Sequence, residues 1–265
     1  MLFFQENFSI DSGYIMQKYY EEKRFVTTYE ADFTNKIKLN TFFNYMQDAA
    51  SSHAENMGLG FSDLRNNNLA WILRWAKIKI EKYPGYGNEI KIKTWPKQQF
   101  KLFSIRDFIM TEPDGNIICR ATTAWLLINT NTKKICELKS LPKEITYLDK
   151  DSGLDDLPGK FSFPGEKVFS YSRKLNYSDI DLNNHTNNSK YIEFASDCFD
   201  SGFYKTNSVR SISASFLSES FEKDILDFSI FPCPGDNRTF IEAANSLSGK
   251  PVFQADIEYS GNKSF

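Results

Sequence analysis

The chain has 265 residues and a formal net charge of −2, from 32 basic and 34 acidic side chains. This near-neutral balance gives no electrostatic reason to expect a nucleic acid or an anionic membrane surface as a partner. Apolar residues make up 41% of the chain, and 24 Phe, 13 Tyr and 4 Trp supply a large core, which excludes a disordered protein. The length fits either two domains of ordinary size or one large β-rich domain.

Targeting and redox signals are weak. The longest strongly apolar stretch, 124–128, is far shorter than the ~18 residues of a membrane span, so we expect no membrane insertion. Gln5 and Glu6 directly follow a short apolar start, which predicts no secretory signal. The four cysteines stand far apart, without metal-ligand spacing to either histidine. We therefore expect reduced thiols in the cytoplasm, and neither a metal nor another cofactor.

The first half reads as one helix followed by strands. A strand is predicted over 24–31, and Asn40 or Thr41 is predicted to cap a helix with an apolar stripe at helical spacing. That stripe consists of Phe42, Phe43, Met46, Ala49, Ala50 and Ala54. Alternating residues then predict strands over 76–80, 90–94, 103–110 and 117–128, separated by Gly- and Pro-containing turns.

The second half repeats this order. Glycines and prolines interrupt 141–165, which we interpret as a linker. A strand over 168–175 and a helix with Tyr191 and Phe194 on its stripe follow, then strands over 209–217, 225–231, 238–244 and 252–259. The recurrence predicts a duplicated α+β protein in which each sheet wraps round one helix. The predicted domains are 1–145 and 166–265, with 146–165 between them.

One polar segment is a candidate for chemistry. Residues 178–188 are dense in hydrogen-bonding groups, and an extended segment with period two would place Asp181, Asn183 and His185 on one side. Imidazole can move a proton, Asp181 could fix its tautomer, and Asn183 could orient a carbonyl or a water. A plain turn leading into a helix would also use Asp and Asn. The other histidine, His53, falls late in the first helix, where a structural or pocket-lining role is expected.

The surroundings of this segment narrow the chemistry. A helix is predicted to begin near Asn187, and its first free N–H groups could stabilise a developing oxyanion. The chain lacks the GxSxG elbow, the HExxH motif, a phosphate-binding glycine loop and the Rossmann fingerprint. Serine hydrolase, zinc peptidase, nucleotide-binding and NAD-dependent functions therefore lack their usual parts.

The run from Asp181 to Asn188, followed by Tyr191, resembles the D-x-N-x-H-V-N-N-x-x-Y signature of the acyl-acyl carrier protein (acyl-ACP) thioesterases of plants and bacteria, with Thr186 in place of Val. The segments at 83–87, 94–95, 106–107 and 120–125 are similar to the first half of that family in the same order. This resemblance covers about residues 20 to 260 and implies two tandem hot dog domains.

The resemblance implies a catalytic set of Asp181, Asn183, His185 and Glu219, the last from a neighbouring strand. The expected reaction is hydrolysis of fatty acyl-ACP, with Glu219 and His185 activating a water. Ser220 stands where the plant proteins have a cysteine once considered a nucleophile, which excludes a cysteine acyl-enzyme at that position.

The resemblance also places an acyl-chain slot in the first half. The candidate lining residues, for which ordinary core packing is the alternative, are Phe42, Phe43, Met46, Trp71, Leu73 and Trp125. The expected partner is an acidic acyl carrier protein, for which Arg173, Lys174 and Lys190 form a candidate docking patch. A homodimer is a further expectation.

Two other functions fit the residues. An acyl-CoA thioesterase of the same fold would use similar groups, and comparing carrier-bound with CoA-bound chains would separate the two. A non-catalytic acyl-binding hot dog protein is the alternative of a different class, although such a protein need not keep Asp181, Asn183, His185 and Glu219 together.

Overall fold

The computed structural model describes residues 18–148, 153–233 and 235–261. The first half contains β1 (Tyr20–Phe25), α1 (Leu39–Asn56), α2 (Phe61–Arg65), β2 (Leu69–Ile80), β3 (Glu89–Phe100), β4 (Phe103–Thr111), β5 (Ile117–Asn129) and β6 (Ile135–Cys136). The second half contains β7 (Val168–Lys174), α3 (Asn188–Ser196), α4 (Ser201–Thr206), β8 (Asn207–Phe216), β9 (Ile225–Cys233), β10 (Arg238–Asn245) and β11 (Pro251–Gly261). None of the described helices is both long and apolar enough to cross a membrane.

The described strands form one sheet whose two halves mirror each other. The order is β1-β3-β4-β5-β2-β8-β11-β10-β9-β7, with β6 paired to β5, so β2 and β8 join the halves at the centre. These two strands pair antiparallel from Trp75 opposite Ser215 to Lys79 opposite Ser211. The α+β class and the repeated element order predicted from the sequence are confirmed.

The helices and the sheet share one continuous core. Helices α1 and α3 contact each other, and a single apolar cluster includes both of them together with strands from both halves. Phenylalanine supplies many of its largest fully buried members: Phe42, Phe43, Phe108, Phe194, Phe228 and Phe253. Part of the aromatic excess of the composition therefore fills the space between helices and sheet.

Several predicted boundaries differ from the structure. Helix α1 begins at Leu39 with Lys38 as its N-cap, so the prediction that Asn40 or Thr41 caps it is wrong. The Asn40 side chain instead donates a hydrogen bond to Glu193 Oε2 at 3.1 Å, because α3 packs beside this turn. The first strand lies over Tyr20–Phe25 rather than 24–31, and β2 begins at Leu69, earlier than its alternating pattern indicated.

The connection between the halves contacts the first half closely. Gly153 N donates to Asp107 Oδ2 at 2.5 Å, and Lys97 Nζ donates to the Leu154 carbonyl at 2.6 Å. Lys77 pairs with Asp156 at 2.6 Å. Lys97 also lies 3.4 Å from the fully buried Asp107 carboxylate. This part of the connection is thus held on the sheet by charged groups of β2, β3 and β4.

Candidate active site

A large cavity extends across both halves of the molecule. Its volume is about 1640 Å³. In the first half it is lined by α1, by β2 from Leu69 to Arg74 and by Trp125, and in the second half by residues 181–183, 185–188, 216–219 and 221. The segment singled out in the sequence therefore opens into a space shared with apolar side chains of the other half.

Residues 181–185 form a tight turn rather than the predicted extended segment. Asp181 N donates to the His185 carbonyl at 2.8 Å, and Asn184 N donates to the Asp181 carbonyl at 3.0 Å. Asn184 adopts φ +63°, a left-handed conformation that Asn tolerates better than most residues. The turn wins over an extended chain because the Asp side chain itself accepts backbone N–H groups. Asp181, Asn183 and His185 nevertheless all line the cavity.

His185 and Glu219 lie next to each other in the wall of this cavity. Nε2 of His185 lies 3.4 Å from Oε2 of Glu219, and the two side chains are 25% and 40% exposed. This distance is longer than an ideal hydrogen bond, as is common for catalytic pairs without substrate. Glu219 does not come from a strand as predicted, since β8 ends at Phe216 and Glu219 lies in the loop that follows. The Phe221 ring of the same loop contacts the imidazole edge to face, with centroids 5.1 Å apart.

Asp181 acts on the backbone of the turn. Its Oδ1 accepts from the Asn183 N–H at 2.8 Å and from the His185 N–H at 3.5 Å. The expected contact with the imidazole ring is absent from the described hydrogen bonds, so Asp181 fixes the position of His185 rather than its tautomer. Asn183 is exposed, and it lines the cavity with its amide available to a ligand.

The start of α3 offers fewer free donors than predicted. The helix begins at Asn188, and the Asn187 side chain caps it by accepting from Ser189 N at 2.9 Å. Lys190 N already donates to the Asn187 carbonyl at 3.0 Å. The Gln47 amide of α1 donates to the same Asn187 side chain at 3.3 Å, which links the helices of the two halves beside the cavity. The N–H groups of this helix therefore contribute less to an oxyanion site than we expected.

Ser220 is buried outside the described lining of the cavity. It is 1% exposed and is not among the described residues lining that space. Its carbonyl accepts from Thr186 N at 2.9 Å and from Thr186 Oγ1 at 3.1 Å, which fixes the Glu219 loop against the His185 turn. Residue 220 thus anchors the loop, and this position is unsuited to a nucleophile.

The six candidate substrate-binding residues fall into two groups. Trp71, Leu73 and Trp125 line the cavity together with the His185 segment. The other three lie in the core behind it and are almost fully buried: Phe42, Phe43 and Met46. The stripe of a helix predicts burial but does not distinguish a pocket wall from solid packing.

Four arginines of the first half line the cavity, and two of them, Arg74 and Arg106, lie on strands of the sheet, where the sequence predicted no role for them. Arg74 lies at a β-bulge of β2 and donates to the Phe216 carbonyl of β8, and burial lowers its pKa. Arg106 is 8% exposed and lies 3.0 Å from Nδ1 of His53, which is itself completely buried. The sequence offered one signal for such a residue, which is a cation at a strand position that faces the core.

The candidate docking patch is largely neutralised. Arg173 donates to the buried Asp179 carboxylate at 3.0 Å, and its guanidinium lies 4.1 Å from the centre of the Phe194 ring. Lys190 lies 3.1 Å from Glu193 and 3.9 Å from the same Asp179. Carboxylates thus pair with two of the three cations of the patch, whereas the third, Lys174, is exposed and has no ion pair among the described residues.

Comparison with known proteins agrees with this arrangement. Residues 17–146 match the family model of the acyl-ACP thioesterase N-terminal domain, and residues 165–243 match that of the C-terminal domain. The chain is 26% identical over 232 residues to oleoyl-acyl carrier protein thioesterase 2 of Arabidopsis thaliana, covering 78% of this chain and 61% of the relative. It is 25% identical over 241 residues to the palmitoyl-acyl carrier protein thioesterase of the same plant, covering 85% and 54%.

Solved structures share the fold. A crystal structure of an acyl-ACP thioesterase from Bacteroides thetaiotaomicron superposes with a TM-score of 0.79 at 23% identity, covering 92% of this chain and 98% of that one. The 12:0-ACP thioesterase from Umbellularia californica gives a TM-score of 0.75 at 17% identity, covering 94% and 96%. The fold is thus the tandem hot dog arrangement of these enzymes.

The two domain matches together span most of the chain in the order of the family, and the chain belongs to the acyl-ACP thioesterases. It spans between about half and three fifths of the length of the plant relatives named above.

Proposed function

We propose that the protein hydrolyses the thioester of fatty acyl-ACP, which releases the free fatty acid and ends chain elongation. The observation that carries this proposal is the His185–Glu219 pair, 3.4 Å apart, at a cavity whose first-half wall contains Trp71, Leu73 and Trp125. An acid–base pair beside an apolar slot suits a substrate with a long chain and one reactive carbonyl.

In the proposed mechanism, Glu219 and His185 together hold a water molecule and remove its proton. The resulting hydroxide attacks the thioester carbonyl carbon. The C–S bond then breaks, and the sulfur of the carrier's prosthetic arm leaves as a thiol after accepting that proton from the pair. A water nucleophile fits the position of Ser220, which is buried and is not among the described residues that line the cavity. No metal is required for these steps.

The oxyanion of the tetrahedral intermediate would be stabilised mainly by the Asn183 amide. This side chain lines the cavity two residues before His185 and carries no charge that would compete for the proton. Asp181 is a positioning residue in this mechanism, because its carboxylate holds the backbone N–H groups of Asn183 and His185.

A thiol-release assay with purified protein and a chain-length series of acyl-ACP tests the proposal. Both Glu219→Gln and His185→Ala should lower kcat by on the order of 10²-fold or more. Glu222→Gln is the matched control, since Glu222 lies exposed in the same loop and does not line the cavity. Near-normal hydrolysis by folded Glu219→Gln and His185→Ala proteins would contradict the assignment of these residues.

The same assay separates the other candidate functions. The identical acyl chain is presented on the carrier protein and on CoA, and higher kcat/KM with the carrier is expected for the proposed enzyme. Higher kcat/KM with CoA would make it an acyl-CoA thioesterase. Tight binding of both without turnover would identify a non-catalytic acyl-binding protein.

For the carrier protein, we propose docking at the rim of the cavity rather than at Arg173 and Lys190. Arg65 and Lys133 are exposed, and both line this rim. An acidic carrier would meet positive charge there while its prosthetic arm enters the cavity. Arg65→Glu and Lys133→Glu should raise KM for acyl-ACP. KM for an acyl-pantetheine, a short substrate without the carrier protein, should stay unchanged.

A cytoplasmic location and a homodimer complete the proposal. The four cysteines are free thiols, as expected in a reducing compartment. Cell fractionation tests the location, and light scattering of the purified protein tests the dimer.

A further inference from the structure

Arg106 is an unusual residue within the cavity wall. Its side chain extends from β4, it is 8% exposed, and it lines the cavity. Among the residues that the structure describes, no carboxylate forms an ion pair with it. Both of its hydrogen bonds use Nη1, which lies 3.0 Å from His53 Nδ1 and 3.2 Å from Thr94 Oγ1. Nε and Nη2 have no described protein partner.

The neighbours of Arg106 are arranged as acceptors. Thr94 Oγ1 donates its own proton to the Asp107 carbonyl at 2.9 Å, so its oxygen is left to accept from the guanidinium. His53 is completely buried, and its Nδ1, 3.0 Å from Nη1, accepts from the guanidinium in the tautomer that carries its proton on Nε2. Burial lowers the pKa of Arg106 to about 10, so the side chain remains a cation at neutral pH. A buried cation with no counter-ion among the described residues carries a desolvation cost that no described ion pair offsets.

Arg106 is separated from the acid–base pair by several strands of the sheet. It is opposite Thr123 on β5, Thr123 is opposite Ala76 on β2, and Ala76 is opposite Ala214 on β8. Three strand spacings, roughly 14 Å, therefore separate Arg106 from β8, which leads directly to Glu219. Between them the wall carries the apolar side chains of Leu73 and Trp125.

We propose that Arg106 is the polar end of the acyl slot and determines the longest chain the enzyme accepts. This inference rests on the proposed thioesterase function. A chain anchored by its carbonyl near His185 runs along the apolar wall until its methyl end reaches the guanidinium. One further methylene would strip water from Nε and Nη2 without replacing the lost hydrogen bonds. A chain whose end carries a hydroxyl group would supply an acceptor and fit at that length.

The first test compares chain-length profiles of kcat/KM. Replacing the cation by an apolar side chain of similar length, Arg106→Met, should raise kcat/KM for chains two carbons longer than the wild-type limit by about tenfold, mostly through KM. Arg106→Lys retains the charge and should keep the wild-type limit. Arg120→Met is the control, because Arg120 lies on the adjacent strand β5 outside the cavity lining. An unchanged profile in folded Arg106→Met protein would show the proposal to be wrong.

A second test needs no variant. With wild-type protein, a terminal hydroxyl on the first plain chain that is too long should restore hydrolysis, whereas the same hydroxyl on a chain four carbons shorter should reduce it. If the hydroxyl lowers kcat/KM at every length, Arg106 does not form the end of the slot. Because this comparison uses wild-type protein, it tests the role of Arg106 even if Arg106→Met fails to fold.

A binding measurement separates this inference from the proposed function. S-alkyl pantetheines are neutral thioethers that cannot be hydrolysed, and the cavity tryptophans Trp71 and Trp125 provide a fluorescence signal. Wild-type protein should show a sharp loss of affinity at one chain length, and Arg106→Met should shift that length upward. This outcome without any turnover of acyl-ACP would refute the hydrolase function and keep the role of Arg106. If binding showed no length limit while turnover of acyl-ACP was normal, the hydrolase function would stand and the role of Arg106 would be refuted.

Discussion

The two halves share one strand order but place different chemistry at the cavity. In the second half, the connection from β7 to α3 forms the turn that presents His185, 25% exposed, to Glu219. In the first half, the histidine lies late in α1, is completely buried, and has its Nδ1 3.0 Å from Nη1 of Arg106. Helix α1 has 18 residues and α3 has 9, so α1 is long enough to cover more of the sheet than α3.

This difference shows how a duplicated fold divides its tasks. The half with the short helix exposes a polar turn and an acid–base pair to the cavity. The half with the long helix supplies tryptophans, aliphatic side chains and a buried cation. The pairing of β2 with β8 places both sets in one space, and we propose that binding and chemistry are separated along it.

The largest expected effects test whether the halves fold as one unit. Phe42 in α1 and Phe194 in α3 are both fully buried, and truncation to alanine at either position should lower the free energy of unfolding by about 3–5 kcal/mol. Because both belong to one core, urea denaturation should show a single transition in each variant. Two separate transitions would mean that the halves unfold independently.

The next prediction concerns the charged group that holds the connection on the first half. Lys97→Met leaves Asp107 fully buried without its cation and should cost about 3–5 kcal/mol of stability at pH 8. Burial raises the pKa of Asp107, so the folded state takes up a proton at higher pH than the unfolded chain. The loss should therefore be smaller at pH 5 than at pH 8 in thermal unfolding. A loss that does not change with pH would rule out the buried carboxylate as its cause.

The third prediction tests what Asp181 does in the second half. An Asn side chain keeps the acceptor oxygen that holds the N–H groups of residues 183 and 185, so Asp181→Asn should retain most of the activity. Asp181→Ala loses both hydrogen bonds and should lower kcat by roughly tenfold or more. Equal losses in both variants would instead indicate that the negative charge is required at this position.

The smallest expected effect lies at the contact between the helices. The Gln47 side chain exchanges hydrogen bonds with Asn187 and Asn188, at 3.3 and 3.4 Å. Gln47→Ala should lower stability by about 1 kcal/mol. Thermal unfolding measures this loss, with Asn56→Ala at the exposed end of α1 as the control. A loss well above this value would mean that Gln47 does more than link the helices.

The sequence alone determined the fold class, the repeated element order and the segment from Asp181 to His185. Each of these is written in local patterns: period two for strands, helical spacing for the aromatic stripes, and a dense polar run before a helix. The bulge at Arg74 and the N-cap of α1 escaped this reading because they depend on contacts with the other half.

Only the tertiary structure decided what faces the cavity. An apolar stripe on a helix predicts that its residues are buried, but core residues and the residues of a pocket wall have the same pattern. Phe42 and Met46 belong to the core. The contact of Glu219 with His185 and that of Arg106 with His53 each join residues far apart in the chain. The first depends on hydrogen bonds between two loops and the second on the packing of α1 against β4, and no local pattern encodes either of them.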